Sequence, residues 1–182
     1  MVCWLGFAAV FLFRRRPAEA AERKRDPQSR IGILIQVVGY TMVWAGQPRL
    51  AHLILLNHPL LEIVFAVFTI SLAVISVVLV NMAVRTLGKQ WALAARIVEG
   101  HKLITKGPYR IVRNPIYTGM FGLLIASGPA DGHWLRLLIA IVVFFIGTLI
   151  RIRSEERLLR ETFGTEFDDY ARRVKALIPG VY

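Results

Sequence analysis

Two stretches of the chain concentrate residues that can bind and orient a charged molecule. The first, GHKLITKGPYRIVRNPIY, covers residues 100–117. Gly100, Gly107 and Pro108 interrupt helix formation, which leaves His101, Lys102, Leu103 and Ile104 as a short extended or looped piece with backbone groups free to bind. Asn114 followed by Pro115 is a good helix start, because Asn accepts from an early amide and Pro in the first helical position gives up no needed donor. That accounts for Asn-Pro but not for the gathering of Tyr109, Arg110, Arg113 and Tyr117, residue types that also serve as anchors at a membrane boundary. The second stretch, RIRSEERLLRETFG, covers residues 151–164. Arg151 with Glu155, Glu156 with Arg160 and Arg157 with Glu161 are spaced as i,i+4 ion pairs of a solvated helix. Yet Arg151, Arg153, Glu155 and Glu156 fall within about a turn and a half of the end of an apolar run, where unpaired charge is costly and charged groups have partners.

The elements that must position these clusters are apolar. Hydrophobic residues make up 55% of the 182 residues, above the roughly 45–50% of soluble domains, which points to a membrane protein. Residues 63–84 carry no charge, and at ~1.5 Å per residue they rise about 33 Å, enough to cross a hydrocarbon core. Residues 31–48 form a second uncharged run, diluted by Gln36, Gln47 and three glycines and bounded by Arg30 and Arg49. Runs at 114–129 and 137–150, separated by PADGHWLR, read as a helical hairpin. Residues 1–13 are apolar and end in Arg14, Arg15 and Arg16. A signal peptide carries its basic residues before the apolar run, so this segment reads as a retained short helix even though AEA at 18–20 imitates a cleavage site.

The expected fold is therefore an all-α membrane protein of about five transmembrane helices, with a C-terminal helical hairpin and a cytoplasmic helical tail. It forms a single domain over 1–182, with three spans in 1–84 and the chemistry in 85–182. The net charge of +11 sits largely in the linkers 14–30 and 85–113 and in the tail. The positive-inside rule places these in the cytoplasm and the N-terminus outside. Topology and anionic headgroups account for the basic excess, so nucleic acid is not an expected partner. No spacing of His52, His58, His101 and His133 with acidic residues or with the single Cys3 fits a metal site. There is no GxGxxG segment for a dinucleotide-type fold and no nucleophile elbow at Ser127 or Ser154.

Taken in order, GHKLI, then GPYRxxRNPxYxG, a hydrophobic hairpin, then RxRxEExLLxxxFGxEFxxYxxRV and a late Pro, the sequence over residues 85–182 resembles the isoprenylcysteine carboxyl methyltransferase family. That family is part of a wider membrane group that includes phospholipid N-methyltransferases. The resemblance implies S-adenosylmethionine as cofactor and a lipophilic methyl acceptor entering from the bilayer. By the same resemblance His101, Lys102, Leu103 and Ile104 line the cofactor, joined by Tyr109, Asn114, Pro115, Ile116 and Tyr117. Glu155 binds the cofactor, Glu156 supports it, and Arg151 faces the acceptor. The family's histidine is replaced by Asn114, which can hydrogen-bond but cannot titrate near neutral pH.

The chemistry of the donor suits these positions. A carboxylate such as Glu155 fits an α-ammonium, the 101–104 backbone fits an adenine edge or ribose, and the helix start at Asn114 fits a carboxylate. The expected activity is methyl transfer most like carboxyl O-methylation of an isoprenylated cysteine, in a prokaryotic cytoplasmic membrane with the site on the cytoplasmic side. Alternatives are a phospholipid N-methyltransferase, an NADPH-dependent enzyme like the sterol reductases, and a non-catalytic membrane protein whose clusters are only anchors.

Overall fold

The uncharged run at residues 63–84 lies within one long helix, Pro59–Leu87, whose first turn holds Glu62 and whose last holds Arg85. In the computed structural model, which describes residues 2–12, 22–45, 59–98, 100–131, 134–178 and 180, this helix is α3. It is preceded by α1 (Val2–Leu12) and α2 (Gln28–Trp44) and followed by α4 (Pro115–Asp131), α5 (Trp134–Phe163) and α6 (Thr165–Arg173). The basic triplet at 14–16, the AEA sequence at 18–20 and His52, His58 and His133 lie outside the described residues.

Helices stand at all five expected places, but not at five spanning lengths. Among the described residues two helices, Leu60–Gln90 and Trp134–Phe163, are long and apolar enough to cross a membrane, and Pro115–Gly128 is a shorter apolar helix. The 11 residues of α1 rise only ~16 Å against a hydrocarbon core of ~30 Å. Much of α3 turns large apolar side chains outward, among them Ile63, Phe68, Ile70 and Ile75. A continuous exposed apolar face of this kind is expected where the surrounding medium is lipid.

The architecture is all-helical, as expected, and differs from expectation in three details. First, the last span does not stop at Ile150 before a separate tail: α5 runs unbroken for 30 residues through Phe163. The segment EERLLRE is itself rich in strong helix formers, so nothing ends the helix when the charges begin. Second, α4 and α5 follow one another in sequence but pack mainly elsewhere, α4 on α3 and α5 on α2. Third, the all-helical architecture carries one short ribbon besides its helices. Strand β1 (Glu22–Arg25) pairs antiparallel with β2 (Arg96–Val98), Arg25 opposite Arg96 and Glu22 opposite Val98. This ribbon joins the two basic linkers.

The α2–α5 contact is set by two glycines. A Cβ on Gly147 would lie 2.7 Å from the Gly32 carbonyl and 3.0 Å from the Gln36 amide nitrogen, and one on Gly32 would meet the Gly147 carbonyl at 2.7 Å. These neighbours are backbone atoms and cannot rotate away. Above the glycines the same interface closes on Val43, Ala140 and Phe144 together with Leu124 of α4. Below them it carries the polar groups Gln36, Thr148 and Arg151.

Gly147→Ala is expected to lower the thermal midpoint in detergent by forcing the helices apart, at the ~1–3 kcal/mol typical of overpacking. Gly6→Ala, whose Cβ would meet nothing closer than 3.7 Å, serves as the control. Equal melting of both variants contradicts the close-approach account.

Candidate active site

The two clusters singled out in the sequence meet. Residues 101–105 have no regular structure, a 3₁₀ turn follows at Gly107–Arg110, and α4 begins at Pro115, one residue after Asn114. Opposite this run lies the charged half of α5. The Tyr117 hydroxyl donates to Glu155 Oε1 in a short contact, and Arg113 Nε pairs with Glu156 Oε1 at 2.9 Å. Adjacent carboxylates on α5 are thus held by residues four apart in the other segment, because a shielded carboxylate needs donors to offset its lost hydration.

A third segment locks the first in place. Residues 174–178 run beside the start of α4: Arg113 N–H donates to Lys175 O at 2.8 Å and Asn114 N–H to Ala176 O at 3.0 Å. The Asn114 side-chain amide also donates to Ala176 O, at 3.1 Å, and reaches Glu156 Oε1 at 3.4 Å. Thr118 Oγ1 donates to Leu177 O at 2.7 Å. Arg113 Nη1 donates to the carbonyls of Ala171 and Val174 at 2.9 and 2.5 Å. The side-chain amide of Asn114 therefore ties the tail and Glu156 to the helix start, a use of Asn that the capping argument missed.

Arg151 lies one turn before Glu155 on α5 and is 6% exposed. Its Nη1 donates to Gln36 Oε1 of α2 at 2.9 Å, and its Nη2 donates to the Leu93 carbonyl. The guanidinium stands over the Tyr117 ring, 4.9 Å from the centroid, and Nη2 is 3.9 Å from Glu155 Oε1. Gln36 is completed by Thr148, whose Oγ1 accepts from Gln36 Nε2 at 2.8 Å. Of the three i,i+4 pairs suggested by spacing, Arg151–Glu155 is present. Glu156 instead pairs with Arg113, Arg157 with Asp26 at 3.2 Å and Arg160 with Asp168 at 2.8 Å. These tertiary partners tie α5 to the ribbon, to α6 and to the 113–117 segment.

These groups face one cavity of about 540 Å³. His101, Lys102, Leu103, Ile104, Tyr109, Asn114, Ile116, Tyr117, Arg151, Glu155 and Glu156 all line it, whereas Pro115 is buried and does not. The cavity has two ends. The polar end holds the two carboxylates and His101. The other end is walled by Trp4, Phe7, Val37, Tyr40 and Trp44 of α1 and α2, with Trp4 edge-on to Phe7, Tyr40 and Trp44 at 5.6, 5.0 and 5.3 Å.

The backbone of 101–104 is less free than the sequence suggested. Gln90 accepts from Lys102 N–H at 2.7 Å and donates to Lys102 O at 2.9 Å, and His101 N–H donates to Val98 O. Burial lowers the pKa of His101 below its ordinary 6.5, so the ring is neutral at pH 7, and its buried Nδ1 has no hydrogen-bond partner among the described residues. Burial raises the Tyr109 phenol, with the nearby Glu155 carboxylate adding to it. The Tyr170 phenol is pushed up to about 12, mainly by burial, and donates to Tyr109 O at 2.6 Å. These phenols remain protonated donors.

With this geometry in view, the chain belongs to the phospholipid methyltransferase family, whose model matches residues 63–166, more than half of its length. The nickel-cobalt-cadmium resistance protein NccN of Alcaligenes xylosoxydans xylosoxydans is 34% identical over 113 residues, 60% of this chain and 52% of that protein. The probable protein-S-isoprenylcysteine O-methyltransferase of Oryza sativa subsp. indica is 32% identical over 110 residues, 59% and 58% of the two chains. Methanethiol S-methyltransferase 1 of Bradyrhizobium diazoefficiens is 38% identical over 72 residues, 39% and 24%. The likeness to isoprenylcysteine methyltransferases noted in the sequence therefore holds, while the chain spans between half and three-fifths of the first two relatives.

Arg113→Ala is expected to destabilise the fold by ~3 kcal/mol, because it strands a shielded Glu156 and unties the tail. Glu156→Gln keeps an acceptor for Arg113 and should cost clearly less. Thermal unfolding of the two variants checks this, and a larger loss for Glu156→Gln contradicts it.

Proposed function

We propose that the chain is an S-adenosylmethionine-dependent methyltransferase that methylates a lipophilic acceptor at the membrane interface, most like carboxyl O-methylation of an isoprenylated cysteine. One observation carries this reading: a single cavity joins a carboxylate-bearing polar end to an aromatic, apolar end. A charged donor and a greasy acceptor need such adjoining environments. The family match and the names of the Oryza relatives support it over a reductase or a passive anchor.

The residues present fit the cofactor. Glu155, 30% exposed on its side chain and turned to the cavity, would take the α-ammonium. The start of α4, where the amides of Ile116 and Tyr117 precede the first helical acceptors, would take the carboxylate. His101–Ile104, with a neutral imidazole and unpartnered Nδ1, would flank the adenosine. When bound, the cofactor supplies an electrophilic methyl group on a sulfonium.

The protein's task is then to align an acceptor oxygen with that methyl and keep water out, and such alignment contributes roughly 7–11 kcal/mol to lowering the barrier. A carboxylate acceptor is already ionised at neutral pH, so no general base is required and a non-titrating Asn114 costs nothing. Asn114 and Arg151 serve by placement. Asn114 holds the helix start, and Arg151 presents a fixed positive charge to an anionic acceptor. The topology proposed with this reading puts the N-terminus outside and the site on the cytoplasmic side, where the basic linkers meet anionic headgroups.

Calorimetry on detergent-purified protein should show S-adenosylhomocysteine binding and no NADPH binding. Glu155→Gln should weaken the former by about tenfold or more, as expected for loss of a charge-assisted hydrogen bond. Arg151→Ala should keep that affinity but impair methylation of a short S-prenylated cysteine. NADPH binding, or equal loss of cofactor affinity in both variants, refutes this division of roles.

A further inference from the structure

Arg151 and Glu155 are opposite charges one helical turn apart, yet they do not make a close ion pair. The nearest approach is 3.9 Å, longer than the ~2.7–2.9 Å of a charge-assisted hydrogen bond. The cause is visible in the same side chain. Both terminal nitrogens are committed to neutral acceptors on other elements, Nη1 to Gln36 Oε1 and Nη2 to Leu93 O. Gln36 is itself 2% exposed and held by Thr148. Since Arg has only donors, the amide oxygen of Gln36 must face it and the amide nitrogen must face Thr148. The bond network leaves no other arrangement.

We propose that Gln36 is a positioning residue that holds the Arg151 guanidinium off Glu155, so that this carboxylate stays available to a cationic group of the ligand. The inference rests on the reading of Glu155 as the ammonium site. Gln36 lies outside the residues matched by the family model and interrupts the apolar run from Ile31 to Gly39 of α2. A neutral amide suits the task. It satisfies a buried donor without cancelling the charge of Arg151, whereas an apolar residue would leave Nη1 buried and unpaired beside an anion. Relieved of Gln36, the guanidinium has a charged acceptor within reach in Glu155, and the direct pair would compete with the ligand.

The test is a mutant cycle read by calorimetric titration of S-adenosylhomocysteine into the full chain in detergent. Gln36→Met is expected to weaken binding by about tenfold, the scale of a hydrogen bond to a charged group. Adding Arg151→Met to that variant should restore affinity to within about threefold of Arg151→Met alone. A merely structural role for Gln36 predicts no such rescue. Gln36→Glu, which keeps an acceptor for Nη1, should lose less than Gln36→Met. If Gln36→Met does not fold, Thr148→Val, which frees the Gln36 amide, should show a smaller loss that Arg151→Met also reverses. Unchanged affinity in the variant measured, or a loss that Arg151→Met fails to reverse, overturns the inference while leaving the functional reading intact. Failure of the unmutated protein to bind overturns that reading, and the inference with it.

Discussion

Two consecutive carboxylates, Glu155 and Glu156, must be neutralised where a helix leaves the apolar layer, and the way this is done organises the rest of the molecule. Each takes a different partner from one short run of chain: Tyr117 for the first, Arg113 with Asn114 for the second. The cost of leaving either carboxylate unpaired draws residues 113–117 against α5. The tail at 174–178 then has a groove to occupy, and its carbonyls are consumed by the same Arg113 and Asn114. The proposed binding groups and the tertiary structure share one set of hydrogen bonds.

Helix packing supplies the second requirement, a polar layer that survives between apolar helices. The closeness of α2 and α5 at Gly32 and Gly147 brings Gln36, Thr148 and Arg151 within hydrogen-bond reach. The polar groups then cement a contact that small residues permit. Beyond them the interface turns to Phe144, Ala140 and Val43, so the cavity changes from charged to apolar over a few turns of α2. The change of environment along one wall suits a chamber proposed to hold unlike molecules.

Much of this was legible in the sequence, and the parts that were not share a cause. Runs without charge marked α1 to α5, since exclusion of charge is a local property of the chain. The clusters at 100–117 and 151–164 were recognisable because each gathers polar and charged residues at the edge of an apolar run. The β1–β2 ribbon was not: ERKR reads as a basic linker, and only pairing with residues seventy positions away makes it a strand. The partners of Arg157 and Arg160 were misjudged for the same reason, local spacing offering Glu161 and Glu156 while the fold supplies Asp26 and Asp168. Gln36 was visible as a polar residue in an apolar run, but its purpose depends on Arg151, 115 positions later.

The run at 101–117 and the charged half of α5 are proposed to enclose one cationic cofactor between them. An experimentally determined structure with S-adenosylhomocysteine bound tests it most directly. The account predicts the ligand's ammonium within hydrogen-bond distance of Glu155 and its adenosine against residues 101–104. A ligand bound outside this chamber, or touching only one of the two segments, contradicts it.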